Sequence, residues 1–147
     1  MKDTIFSWIF KRLFKTYGRL KFFALKTELL FFEPNGGGGF KKCKGEDASA
    51  IKCSAKIKLY NRKDVPIRLD NMFFLFEREN DIFFELPIYF PKEINIPPWE
   101  SISIELSSGL REINHINLKD VINFEKTYFF GKLPNNKSYK KLIEKKP

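Results

Sequence analysis

Histidine and cysteine are nearly missing from this 147-residue chain, with one and two copies. Each shortage removes a class of chemistry. His115 is the only side chain on which a Ser/His/Asp or Cys/His nucleophilic site could be built. It falls in the polar stretch 111–118, which reads as an exposed connection. Cys43 and Cys53 stand ten residues apart, and two thiols do not supply the four ligands of a structural zinc site. They could pair in an exported protein, but nothing else argues for export, so free thiols in a reducing compartment are expected. Glycine is scarce too, and half of it sits in one run, Gly36–Gly39. That run lacks the G-x-x-x-x-G-K-[ST] and G-x-G-x-x-G spacings that cradle phosphates, so it reads as a flexible loop over 34–39. Glu77, Glu79, Asp81 and Glu85 crowd one turn without the D-x-D-x-D-G pattern of a calcium loop, and they read as a solvated hairpin tip. No catalytic, cofactor-binding or metal-ligating residue is assigned, and no enzyme is expected.

Long apolar runs are also missing. A secretory signal needs an unbroken apolar region of about 7–15 residues and a small-residue cleavage site. Ile5–Phe10 is stopped by Lys11 and Arg12. A spanning helix needs about 20 predominantly apolar residues, and residues 4–23 contain Lys11, Arg12, Lys15, Arg19 and Lys21. The expected location is the cytoplasm, with attachment to a membrane surface as a variant of it.

What is present is apolar bulk and positive charge. Hydrophobic residues make up 43% of the chain, with 17 phenylalanines, which suffices for one core. The net charge of +9 is uneven. Residues 59–106 are net acidic, while both flanks are basic, which suits a polyanion such as anionic lipid or nucleic acid.

Two periodicities organise the chain. On a helical wheel, Ile5, Phe6, Ile9, Phe10, Leu13, Phe14 and Tyr17 cover one half, and Thr4, Ser7, Lys11 and Lys15 the other. This predicts an amphipathic helix ending near Gly18, a unit over 1–18. After Gly18 the pattern turns to strands, giving a β-sandwich domain over 19–147. Residues 19–33 are apolar on both faces, the mark of a central or covered strand, with a helix continuing through residues 4–32 as the competing reading. Strict alternation follows in AIKCSAKIKLYN, with Ile51, Cys53, Ala55, Ile57 and Leu59 on one face. Asn61–Asp64 turns the chain. VPIRLDNMFFLFERE continues as a strand through Ile67, Leu69, Met72, Phe74 and Phe76, with a bulge near Asp70-Asn71, and IFFELPIYF carries Pro87, which argues for an edge or a break. Asn95–Glu100 reads as a stiff extended crossing. Ile102, Ile104 and Leu106 alternate again, and VINFEKTYFFGKL pairs with SYKKLIE across Pro134–Lys137. Seven or eight strands with no long helix between them predict a mainly β, antiparallel sandwich.

Within it, KLYNRKDVPIRLDNMFFLF resembles the strand–Asn–turn–Pro–Ile segment of small bacterial immunoglobulin-like modules, and PPWESISIEL resembles their proline-led strand. The likeness covers roughly residues 50–143 and has no Cys…Trp…Cys core signature. It implies an immunoglobulin-like fold used for binding or scaffolding, and it supplies no catalytic residues.

The expected function is therefore non-catalytic binding, with an unidentified protein partner. The interaction residues would be Phe6, Trp8, Ile9, Phe10, Lys11, Leu13, Phe14 and Lys15 on the helix, together with Trp99. Trp99 is weighed as an anchor or as a plug of the core end. The alternative is a peripheral membrane protein held by residues 4–17 on anionic lipid. A further one is a nucleic-acid binder using the basic ends. Against the last, the lysine face of Lys52, Lys56 and Lys58 has few aromatics, with Tyr60 in register and Phe40 nearby.

Overall fold

The computed structural model describes residues 20–112 and 123–146. The predicted helix over 4–17, its eight interaction residues and His115 lie outside these. Two antiparallel sheets make up the described part. The first has the order β2-β1-β3-β7, built from β1 (Lys21–Pro34), β2 (Phe40–Lys42), β3 (Ala50–Tyr60) and β7 (Ser101–Ser107). A short β8 (Arg111–Glu112) continues beside β3. The second sheet has the order β10-β9-β4-β5, from β10 (Ser138–Lys145), β9 (Lys126–Lys132), β4 (Ile67–Arg78) and β5 (Asp81–Pro87), with β6 (Ile94–Ile96) beside β4.

Among the described residues the strand count is ten, above the expected seven or eight, because β2, β6 and β8 are pieces of two or three residues. Only one helical turn is described, the 3-10 turn Gly45–Asp47. The reading of a helix continuing through residue 32 is overturned, since Lys21–Pro34 is a strand. Asn95–Glu100 is corrected as well. Its first residues belong to β6, which buries Ile94 and Ile96 and pairs with Leu69 and Ile67 before Pro97-Pro98 ends the strand.

The core lies between the sheets. Ile51, Cys53, Ile57 and Leu59 of β3 are fully buried, and they face Leu69, Phe74 and Phe76 of β4 and Phe129 of β9. Each leucine, isoleucine and phenylalanine among them contributes about 1.5–3 kcal/mol. Cys53 is thus a core hydrophobe, as its alternation predicts.

The imperfect alternation of β1 has a physical cause. Against β3 its register shifts between Ala24 and Lys26, so Leu25 is an extra residue. A bulge changes which parity points inward. Before it Phe22 packs on the core, stacked on Phe129 at 5.7 Å; after it Leu29 and Phe31 do. The shift near Asp70 also occurs, with Asn71 at φ 46°, a region asparagine tolerates.

IFFELPIYF is two things rather than one strand. β5, at the edge of the second sheet, stops at Pro87. The chain then crosses over, and the N–H groups of Tyr89 and Phe90 both donate to the Ser107 carbonyl of the first sheet, at 2.8 and 3.0 Å.

Candidate functional site: one end of the sandwich

Register places four segments at one end. Lys21 pairs with Tyr60, and Tyr60 with Ser101, so Leu20, the 61–66 loop and the 97–100 turn are neighbours. The β9–β10 turn joins them across a cleft of about 390 Å³ lined by Leu20, Val65, Pro66, Pro134 and Tyr139, with Lys63 and Lys141 at its margins.

Asn61 holds this end together. It is fully buried. Its side-chain amide donates to the carbonyls of Val65 at 2.8 Å, Ile96 at 3.1 Å and Pro97 at 3.2 Å. Its side-chain oxygen accepts the Lys63 N–H at 2.9 Å, and its own N–H donates to the Glu100 carbonyl at 2.9 Å. One buried polar side chain thus satisfies carbonyls from two loops that would otherwise be stranded. By local pattern Asn61 is a turn residue, and nothing within the 61–64 stretch signals this role.

The turn it braces carries Trp99. The Glu100 N–H closes on the Pro97 carbonyl at 3.3 Å, with Pro98 and Trp99 in the central positions. Trp99 has φ +60°, the conformation that type II turns give to glycine. For a bulky side chain that costs on the order of 1–3 kcal/mol. Trp99 is 47% exposed, so it does not serve as the buried plug of the core. Val65, beside the cleft, is 54% exposed.

The opposite wall is tied to the core through Tyr139. The Tyr139 hydroxyl donates to the Leu20 carbonyl at 3.1 Å, and its ring meets Phe129 edge-on at 6.3 Å. Burial pushes the phenol pKa up, so the hydroxyl stays protonated and keeps donating. In the β9–β10 turn, Asn136 takes φ 65° and donates its N–H to the Leu133 carbonyl at 2.9 Å.

The other residues singled out in the sequence are not brought here. Cys53 is inside the sandwich, its thiol pushed up to about 12 first by burial and then by Glu144. Half-buried Cys43 is raised by burial, Glu33 and Asp47. Both thiols are free and are held in the protonated, weakly nucleophilic form. The glycine loop joins β1 to β2, and the Asn35 side-chain oxygen accepts the N–H groups of Gly37 and Gly39 at 2.9 and 3.1 Å. Glu77 is corrected: it is no tip residue but a strand carboxylate accepting the Tyr128 hydroxyl at 3.1 Å, with Lys126 at 3.9 Å. The tip itself is Glu79-Asn80, both left-handed, as a two-residue hairpin requires. Among the described residues no three metal-ligating side chains converge.

No protein-family model matches the chain. It is 26% identical over 153 aligned residues to an uncharacterized protein, YopI, derived from the SPβ prophage of Bacillus subtilis strain 168, an alignment covering 92% of this chain and 85% of that protein. Among solved structures it is similar to the structural-genomics target SoR45, at a TM-score of 0.42 and 11% identity over 85% of this chain and 82% of that one. It is also similar to the apo PmoF2 PCuAC domain, at a TM-score of 0.38 and 11% identity over 85% and 93% of the two chains.

Proposed function

We propose that this chain is a non-catalytic protein-interaction module, an immunoglobulin-like sandwich that takes a partner at the end braced by Asn61. The observation that carries this reading is the state of Trp99. A large aromatic side chain is held half exposed, in a backbone conformation that disfavours it, on a turn fastened from beneath by a buried amide. Strain of that kind persists where the surroundings over-determine it, and functional positions are where it collects. Exposed tryptophans are also enriched among the residues that dominate binding energy at protein interfaces. The partner that fits offers an apolar side chain for the cleft between Val65 and Tyr139, with acidic groups near Lys63 and Lys141.

The test uses the turn's own geometry. A photo-crosslinking amino acid at position 65 should capture a partner in cells, and the same probe at position 140, on the outer face of the second sheet, should not. Trp99→Gly suits the left-handed position while removing the indole. It should fold normally yet weaken binding of the captured partner by about 30-fold, the size of a hot-spot loss. Equal capture from both positions, or unchanged affinity in Trp99→Gly, sinks the reading.

A further inference from the structure

A second surface is assembled only by strand register. With Ile51, Cys53, Ala55, Ile57 and Leu59 turned into the core, the outer face of β3 presents Lys52, Lys56, Lys58 and Tyr60. On its own it is a lysine row with one aromatic. Pairing with β1 changes that. Lys21 stands opposite Tyr60, Phe23 opposite Lys58 and Leu30 opposite Lys52, and β2 sets Lys42 opposite Phe32. Three lysine–aromatic cross-strand pairs therefore run along one sheet face, from Lys21 to Phe32, a length of about 36 Å at strand spacing.

The lysines of this face are unspent. Lys21, Lys26, Lys42, Lys52, Lys56 and Lys58 take part in none of the salt bridges formed among the described residues. Lys26 and Lys56 stand directly opposite each other. Like charges so placed oppose sheet pairing. Glu105 faces Lys56 from β7, and Glu28 and Glu112 are the other carboxylates on the face. Six cations against three anions leave the face net positive. Phe23 is 48% exposed, so its ring meets solvent. The outer face of the second sheet differs. Lys126 is drawn to Glu77, Lys140 lies 4.2 Å over the Tyr128 ring, and Lys132 lies 5.5 Å over Phe130.

We infer that the outer face of the first sheet binds single-stranded nucleic acid, with phosphates on Lys26, Lys52, Lys56 and Lys58 and bases stacked on Phe23 and Tyr60. Stacking on ring faces tolerates any base, and unpaired lysines beside the rings receive the backbone. A duplex offers only its phosphates to such a sheet, since its bases are already stacked. This surface adjoins the cleft end at Lys21 and Tyr60 but shares no lining residue with the cleft, so either proposal can fail alone.

Fluorescence anisotropy of the full chain with a labelled oligothymidine strand, and with a duplex of equal length, tests it. The single strand should bind more tightly. The slope of log K against log salt should lie between about −3 and −4, as expected for four to six phosphate contacts on a single strand. Lys56→Glu with Lys58→Glu should cost at least tenfold and flatten the slope. Phe23→Ala should cost about tenfold with the slope unchanged, which separates stacking from charge. Lys132→Glu with Lys140→Glu removes the same net charge from the other sheet and should change affinity less than about threefold. Thermal melts of each variant confirm the fold. The proposal is overturned if no binding appears at low salt, if the duplex binds equally well, or if both double reversals weaken binding alike. It is also overturned if phosphatidylglycerol vesicles, rather than the oligonucleotide, show the dependence on Lys56, Lys58 and Phe23.

Discussion

Asn61 and Ile96 are 35 residues apart, yet the side-chain amide of one donates to the backbone carbonyl of the other at 3.1 Å in the interior. Through that bond and its companions to Val65 and Pro97, a single amide decides where the 61–66 loop and the Trp99 turn sit. Asn61→Ala strands those carbonyls together with the Lys63 N–H, and should cost about 2–4 kcal/mol in denaturant unfolding. Asn61→Asp should do no better at neutral pH, because a carboxylate would face carbonyl oxygens without a proton to donate. A loss under about 0.5 kcal/mol for Asn61→Ala would mean that water replaces the amide and that the brace is not structural.

The strain at Trp99 gives a prediction whose sign decides it. Trp99→Ala and Trp99→Gly delete nearly the same contacts. At an ordinary backbone position the alanine variant would be the more stable, since glycine has more freedom to lose on folding. At φ +60° the order should invert, with Trp99→Gly more stable by about 1 kcal/mol. Paired denaturant titrations read this directly. An alanine variant equal to or better than glycine would show that the turn relaxes once the indole is gone.

The sheets were legible where period two is strict. Residues 51–59 announce their buried face, and Pro134–Lys137 announces the last hairpin. Local pattern fails where a long-range partner decides. Asn61 reads as a turn residue because nothing nearby reveals that Ile96 and Pro97 will bury it. β1 breaks its alternation because Leu25 is an inserted residue, after which the inward set passes from Phe22 to Leu29 and Phe31, while Phe23, Leu30 and Phe32 keep the outer face apolar as well. The basic face was half visible. Lys52, Lys56 and Lys58 share a parity, but their aromatic neighbours Phe23 and Phe32 come from β1 and appear only once the register is known.

Thr127 offers a stabilising change. It is buried on β9 opposite Phe76 of β4, and its hydroxyl oxygen has no hydrogen-bond partner among the described residues. A desolvated, unpaired hydroxyl opposes folding. Thr127→Val keeps the shape and the β-branched strand preference while removing that group. The unfolding midpoint should rise at unchanged m-value, by about 0.5–2 kcal/mol in stability. A destabilised valine variant would show that the hydroxyl is satisfied in solution.

Cys53 makes stability depend on alkaline pH. Burial favours the neutral thiol and holds its pKa at about 12, against an ordinary value of 9.0. An acid whose pKa is raised on folding binds its proton more tightly in the native state. The associated stability is fully present below pH 9.0 and is lost as pH climbs from there through about 12. Tyr139, also raised by burial, adds a loss in the same direction at higher pH. Cys53→Ala opens a cavity and lowers stability at every pH, but it removes the Cys53 titration. Its stability should therefore fall less steeply than that of the parent above pH 9. Native alkylation gives an independent reading, with half-buried Cys43 modified first and Cys53 modified only at the rate of unfolding. Rapid alkylation of both thiols in the folded protein, or parallel pH curves for parent and variant, would place Cys53 within reach of water and contradict its position in the core.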